Sequence, residues 1–317
     1  MKHLVGVDVG GTNVRVALGN TKGKISVRLN ERSDKLSGPR GLSSQIKRMI
    51  RSLVDKDRIS CIGIGSAGPL DLKKGAIVHS PHLGFDRIPL LHPLEKEFKV
   101  PVCLVNDCVA AVVAEKLFGQ GKKFANLVYV TMSSGIGGGV FVDNHLLRGK
   151  DGNAHEVGHN VIDHTRRLLC GCGKRGHWEA YCGGDNIPNL IRLQLESKRI
   201  QDVESSLLYR KTNGNVGRIS SQILFDAAKC GDKLASEIVE EVGRLNAIGF
   251  ANVNSVYDPE LITVGGATAL ANPNLVLNPV RRLIEEASIN RKPRINLTTL
   301  GEDIVLYGAL ALANKLK

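Results

Sequence analysis

Apolar residues near the start of the chain fall into two short runs either side of Gly10-Gly11. Leu4-Val5-Gly6-Val7 precedes the glycines, and Val14 and Val16 follow them. The pattern predicts strands over 3–9 and 13–19 joined by a tight turn, with a third strand over 24–30. Leu42, Ile46, Ile50 and Leu53 then recur at helical spacing and predict a helix over 41–54. Strands are expected over 60–66 and 100–105, with the turn Ala67-Gly68-Pro69 after the first and a short apolar helix over 108–118 after the second. The opening scheme returns at Leu127-Val128-Tyr129-Val130, with glycines at 135 and 137–139, then Val140 and Val142. We read this as an internal duplication of one strand–glycine turn–strand unit. The remainder, 219–253, 273–288 and 305–316, reads as mainly helical, with a strand over 260–264.

Composition narrows the class. The chain has 317 residues, enough for two domains, with 42% hydrophobic and 23% charged residues, ordinary for a globular protein. No apolar run reaches bilayer length and the start has no signal-peptide pattern, so a cytoplasmic protein without a membrane role is expected. Net charge is +12, but only 4% of residues are aromatic and no nucleic-acid motif is present. A solvated basic face, compatible with phosphorylated ligands, is expected rather than a nucleic-acid partner. Seven cysteines, an odd number, do not make a disulfide framework. Cys61, Cys103, Cys108 and Cys230 sit in apolar stretches and read as buried hydrophobes.

Three segments could carry chemistry. In Asp8-Val9-Gly10-Gly11-Thr12-Asn13, a glycine hairpin lets backbone N–H groups approach phosphate, and Asp8 is placed to hold Mg²⁺ directly or through water. The plainer reading is an ordinary turn capped by Asp. The second glycine hairpin, Thr131 to Gly139, favours phosphate binding for both, and neither matches a P-loop or Rossmann fingerprint. Asn106-Asp107 follows a strand and opens a helix; Asp107 is either a helix cap or a carboxylate that accepts the proton of an attacking hydroxyl. His159, Cys170, Cys172 and His177 give H-x₁₀-C-x-C-x₄-H, a donor set for tetrahedral Zn²⁺ in a structural role, with a metal-free thiol loop as the alternative. Cys182 could replace His177 as the fourth ligand. Glu156 and Glu179 flank these residues and suit sugar hydroxyls.

Together the segments resemble the ROK family of sugar kinases and repressors, over nearly the whole chain. The resemblance implies an α/β, two-domain, actin-like (ribonuclease-H-like) sugar-kinase fold with a central cleft. Domains are then expected over 1–117 and 118–304, with a C-terminal helix, 305–317, packing back on the first. DVGGTNVRVAL is similar to the first phosphate motif, implying phosphate roles for Asp8, Gly10, Gly11, Thr12 and Asn13. TMSSGIGGGV is similar to the second, implying the same for Ser133, Ser134, Gly135 and Gly137. VND resembles the sugar motif, which makes Asp107 the catalytic base beside a sugar-binding Asn106. AHEVGH resembles G-E-I-G-H and carries sugar contacts to Glu156 and His159. CGCGKRGHWEA resembles the zinc motif with its downstream Glu179, and DPELITVGGAT the adenosine motif with Gly265 and Gly266. Ser66, Gly68 and His82 complete the expected sugar set.

The chain departs from the family pattern at His155 (usually Gly), His177 (usually Cys), Ser133-Ser134 (usually Gly-Thr) and Pro81-His82-Leu83 (commonly an Asn). The resemblance implies ATP, Mg²⁺ and structural Zn²⁺, a hexose or N-acetylhexosamine substrate, and a homodimer or larger assembly. Glucose or broad hexose use is expected ahead of an N-acetylhexosamine. The repressor branch carries an N-terminal helix-turn-helix domain, for which the motif beginning at Asp8 leaves no room. A non-catalytic sugar sensor is disfavoured by the intact Asp8, Asp107 and glycine hairpins.

Overall fold

The structure is a computed structural model, and it describes residues 2–20, 23–79 and 83–316. His82 therefore lies outside the described residues. Among the described residues the strands are β1 (His3–Val9), β2 (Asn13–Gly19), β3 (Ile25–Arg32), β4 (Ile59–Ser66), β5 (Leu70–Asp71), β6 (Ala76–Val78), β7 (Arg87–Pro89), β8 (Val102–Asn106), β9 (Leu127–Met132), β10 (Ile136–Val142), β11 (His145–Leu146), β12 (Leu261–Gly265) and β13 (Arg294–Leu297). One five-stranded sheet runs β3-β2-β1-β4-β8, another β11-β10-β9-β12-β13, and β5-β6-β7 form a small antiparallel sheet. Numbered within each sheet, both large sheets have the order 3-2-1-4-5. The duplication read from the glycine hairpins thus extends to whole sheets, which is the duplicated ribonuclease-H-like layout of the actin-like fold.

The chain forms two compact units. One comprises Met1–Tyr129, Gly139–His155 and Thr298–Lys317; the other comprises Val130–Gly138 and Glu156–Leu297. In the first unit, β1 and β4 pair in parallel and are buried on both faces, which explains their continuous apolar sequences. The edge strand β3, ISVRLNER, is largely exposed and charged, as suits an unpaired edge. Helix Gly41–Leu53 buries Leu42, Ile46, Met49 and Ile50, which join Val5, Val7, Ile62 and Ile64 in one core. A second cluster joins Leu4 and Cys61 to Leu310 and Ala313 of helix Ile304–Asn314. Close approach of that helix depends on glycine: a Cβ at Gly63 would fall 1.9 Å from the Ala309 carbonyl oxygen.

In the second unit, helix Lys233–Tyr257 packs along helix Pro273–Ala287. The helical stretch expected over 219–253 is two helices, Ser221–Lys229 and Lys233–Tyr257. Gly231 takes a positive φ of 78° after the first, and Asp232 caps the second by accepting the Ala235 N–H at 2.7 Å. Cys230 falls in this break and is exposed, and Cys103 is half-buried, whereas Cys61 and Cys108 are buried as expected. Among the described residues, no helix is long and apolar enough to cross a membrane.

Candidate active site and metal cluster

In the first unit, the parallel strands end in register. Val9 on β1 pairs with Ser66 on β4, and Ser66 pairs with Asn106 on β8. This rung sets Asp8, Gly10 to Asn13, Ser66, Gly68, Asn106 and Asp107 at one edge of the sheet, the carboxyl end where α/β folds bind ligands. The turn after β1 closes by Gly10 N–H donating to the Asn13 carbonyl at 2.9 Å. Ser33 braces it: its hydroxyl donates to the Gly10 carbonyl at 2.8 Å and its N–H to the Thr12 carbonyl at 2.9 Å. Ser66 is fully buried and its hydroxyl donates to the Ala67 carbonyl at 3.0 Å. A Cβ at Gly68 would lie 3.5 Å from Asn106 Nδ2, an ordinary contact, so Gly68 stands beside that amide.

The helix after β8 begins at Asp107, and its cap is Asn106, whose Oδ1 accepts the Cys108 N–H at 2.8 Å. Capping is therefore met without Asp107 as the cap residue. Asp107 Oδ1 also accepts the Cys108 N–H, at 2.8 Å. Enclosure of its carboxyl pushes the Asp107 pKa above the usual range, against the Cys108 hydrogen bond and the nearby His155. Asp8 is buried, and burial pushes its pKa up to about 7, with Arg15 opposing the shift and the charge of Asp107 adding to it. The first unit thus concentrates two mutually repelling carboxylates at one strand edge.

In the second unit, the turn between β9 and β10 is held from outside its own strands. Ser133 O accepts the Gly184 N–H at 2.8 Å and the Thr268 hydroxyl at 3.2 Å, and Ser134 O accepts the Asp185 N–H at 2.9 Å. Glu179 Oε2 accepts the Ile136 N–H at 2.9 Å. Gly266 follows β12 with φ 88°, and a Cβ there would sit 2.5 Å from the Met132 carbonyl oxygen, so this bend brings Gly265 and Gly266 against the end of β9.

The four expected metal ligands come together: one ligand atom from each of His159, Cys170, Cys172 and His177 lies within 4.8 Å of the others. Cys170 Sγ is 3.8 Å from His159 Nδ1, and Cys172 Sγ is 3.3 Å from His177 Nδ1. Tetrahedral Zn²⁺ with two thiolates and two imidazoles needs ligand atoms roughly 3.3–3.8 Å apart; these two separations match that range and the donor types suit the ion. Burial, then His159, lowers the His177 pKa, which favours the neutral ring a metal needs. Cys182 is not in the cluster; it is buried with Sγ 3.7 Å from the Val242 carbonyl. His159 Nε2 is 3.7 Å from Glu156 Oε2, so one ring faces both a thiol and a carboxylate.

The chain matches the ROK family over residues 4–316. It is 37% identical to the glucokinase of Pyrobaculum calidifontis, over 99% of this chain and 96% of that protein. The glucokinase of Aeropyrum pernix is 36% identical over 99% and 97%. Among solved structures, the ROK family glucokinase of Streptomyces griseus, in complex with glucose and AMPPNP, superposes with a TM-score of 0.82 at 28% identity, covering 99% of both chains. The chain belongs to the ROK family.

Some residues that brace the candidate site of this ROK protein escape a motif reading. Arg15 pairs with Asp8 in the β1–β2 register, and its Nη1 donates to Asp8 Oδ2 at 3.0 Å. The signal was available, because a two-strand hairpin centred on Gly10-Gly11 makes residue 15 the cross-strand partner of residue 8. Ser33 and Thr268 were also missed. They act on turn carbonyls from distant parts of the sequence, where no local pattern marks them.

Proposed function

We propose that the protein transfers the γ-phosphoryl group of ATP to the primary hydroxyl of a hexose, with glucose preferred. It is an ATP-dependent sugar kinase. The reading is carried by the rung Val9–Ser66–Asn106, which brings Asp8 and Asp107 to one strand edge beside the Gly10-Gly11 turn. That two relatives matched over nearly their whole length are glucokinases supports it.

Asp107 serves as general base: a carboxylate whose pKa is raised by enclosure is a better proton acceptor than a solvated one. It takes the hydroxyl proton as the oxygen–phosphorus bond forms and the bond to ADP breaks. Asn106, Glu156, His159 and Glu179 hold the sugar, aided by Gly68, while the hairpins at Gly10–Asn13 and Ser133–Gly137 hold phosphate and Gly265-Gly266 approach the nucleoside. Ser66 acts through the strand end, since its hydroxyl is engaged by Ala67. Asp8 would hold Mg²⁺, directly or through water, and that ion supplies charge neutralisation on the β- and γ-phosphates. Most of the rate then comes from positioning.

His159, Cys170, Cys172 and His177 would hold Zn²⁺ as a clip that fixes Glu156 and Glu179 in place. Two thiolates balance the ion, so the loaded clip is net neutral. Self-association as a homodimer and a cytoplasmic location belong to the same reading. The test is ADP release with ATP and Mg²⁺ on glucose, mannose, N-acetylglucosamine and N-acetylmannosamine. Turnover with glucose foremost is expected. Turnover confined to an N-acetylhexosamine would replace the sugar, and no turnover on any of the four would overturn the reading.

A further inference from the structure

Glu179 joins two features that the proposed reaction treats separately. It follows the cluster residue His177 by two positions, in the short helix Trp178–Cys182. Its Oε1 receives the Cys170 thiol at 3.4 Å, and its Oε2 receives the Ile136 N–H at 2.9 Å. A Cβ at Gly135 would stand 2.3 Å from Oε2, so the β9–β10 turn lies directly against this carboxylate. The helix itself is anchored below by Trp178, which is fully buried and donates from Nε1 to Asn246 Oδ1 at 2.9 Å. Glu179 is thus fixed at one end by the His/Cys cluster and at the other by the glycine hairpin.

We propose that Glu179 is a positioning residue for the second phosphate hairpin and sets the grip on ATP phosphates by holding the Ile136 N–H. The inference rests on reading that hairpin as a phosphate site. A carboxylate accepting a backbone N–H makes a charge-assisted bond, stronger than a neutral one, and its loss strands the Ile136 N–H. One side chain therefore meets the His/Cys cluster through Oε1 and the phosphate hairpin through Oε2.

The experiment is calorimetry on the full, zinc-loaded chain without sugar, comparing a non-hydrolysable ATP analogue with adenosine. Amide exchange at Ile136 is followed in parallel. Glu179→Ala is expected to weaken the analogue about 10-fold, leave adenosine unchanged and speed Ile136 exchange. Glu179→Gln is expected to restore analogue binding, because its amide oxygen still accepts the Ile136 N–H. Wild-type analogue affinity and Ile136 protection in Glu179→Ala would overturn the proposal. So would equal loss of analogue and adenosine, or a Glu179→Gln variant as weak as Glu179→Ala. If the wild type binds analogue and adenosine equally, the phosphate reading of the hairpin fails, and the proposal falls with it.

Discussion

The two glycine hairpins share a place in their sheets but differ in what holds them. The first, between β1 and β2, is braced from the edge of its own sheet by Ser33, just past β3, and carries acid chemistry in Asp8, paired to Arg15. The second, between β9 and β10, has no carboxylate of its own. It is held by Glu179, Gly184, Asp185 and Thr268, residues that follow the His/Cys cluster or β12. A duplicated scaffold has thus diverged: one copy carries a buried carboxylate, the other is held by residues from elsewhere in its unit. The first should be sensitive to pH and the second to loss of the Glu179 carboxylate.

The largest effect expected on that contrast is at Asp107. Asp107→Asn should lower kcat roughly 10³-fold with sugar affinity little changed, measured by steady-state turnover and calorimetry. The wild-type rate should also rise with pH through the raised Asp107 pKa, because only the ionised form accepts the proton. Next in size is the clip. Cys172→Ser should lower the melting temperature by about 5–10 °C and leave the first unit's carboxylates titrating as before, read by thermal scans and NMR titration.

Asp8→Asn should act in the opposite sense on stability. The folded pKa of Asp8, pushed up to about 7, exceeds its unfolded value. The metal-free wild type therefore loses stability as pH rises from about 4 through 7. Asparagine removes that loss and should stabilise the metal-free protein on the order of 4 kcal/mol above pH 7, with no gain below about pH 4. Denaturant titration at the two pH values checks the sign. The smallest effect is expected at Ser33→Ala, about 1 kcal/mol, accompanied by a modest rise in KM for ATP.

Much of this contrast could be read along the sequence, because its main parts are local. Glycine turns between apolar runs gave both hairpins, and H-x₁₀-C-x-C-x₄-H gave the cluster. The choice between His177 and Cys182 was not legible, since it depends on which way helix Trp178–Cys182 presents its faces. Cys182 turns toward the Val242 carbonyl, and that direction is set by packing on helix Lys233–Tyr257. The small sheet β5-β6-β7 was invisible, because strands of two or three residues carry no periodicity. Asn106 as cap and Asp107 as first helical residue lie at a boundary that pattern alone locates only to within a few positions. Cys230 sits beside an apolar helix but was turned out by the break at Gly231.

The central claim, phosphoryl transfer to a primary sugar hydroxyl, is tested most directly by comparing ADP release on glucose and on 6-deoxyglucose. Turnover with glucose, and with 6-deoxyglucose only the sugar-free background, is the result expected. Equal ADP release from both sugars would contradict it.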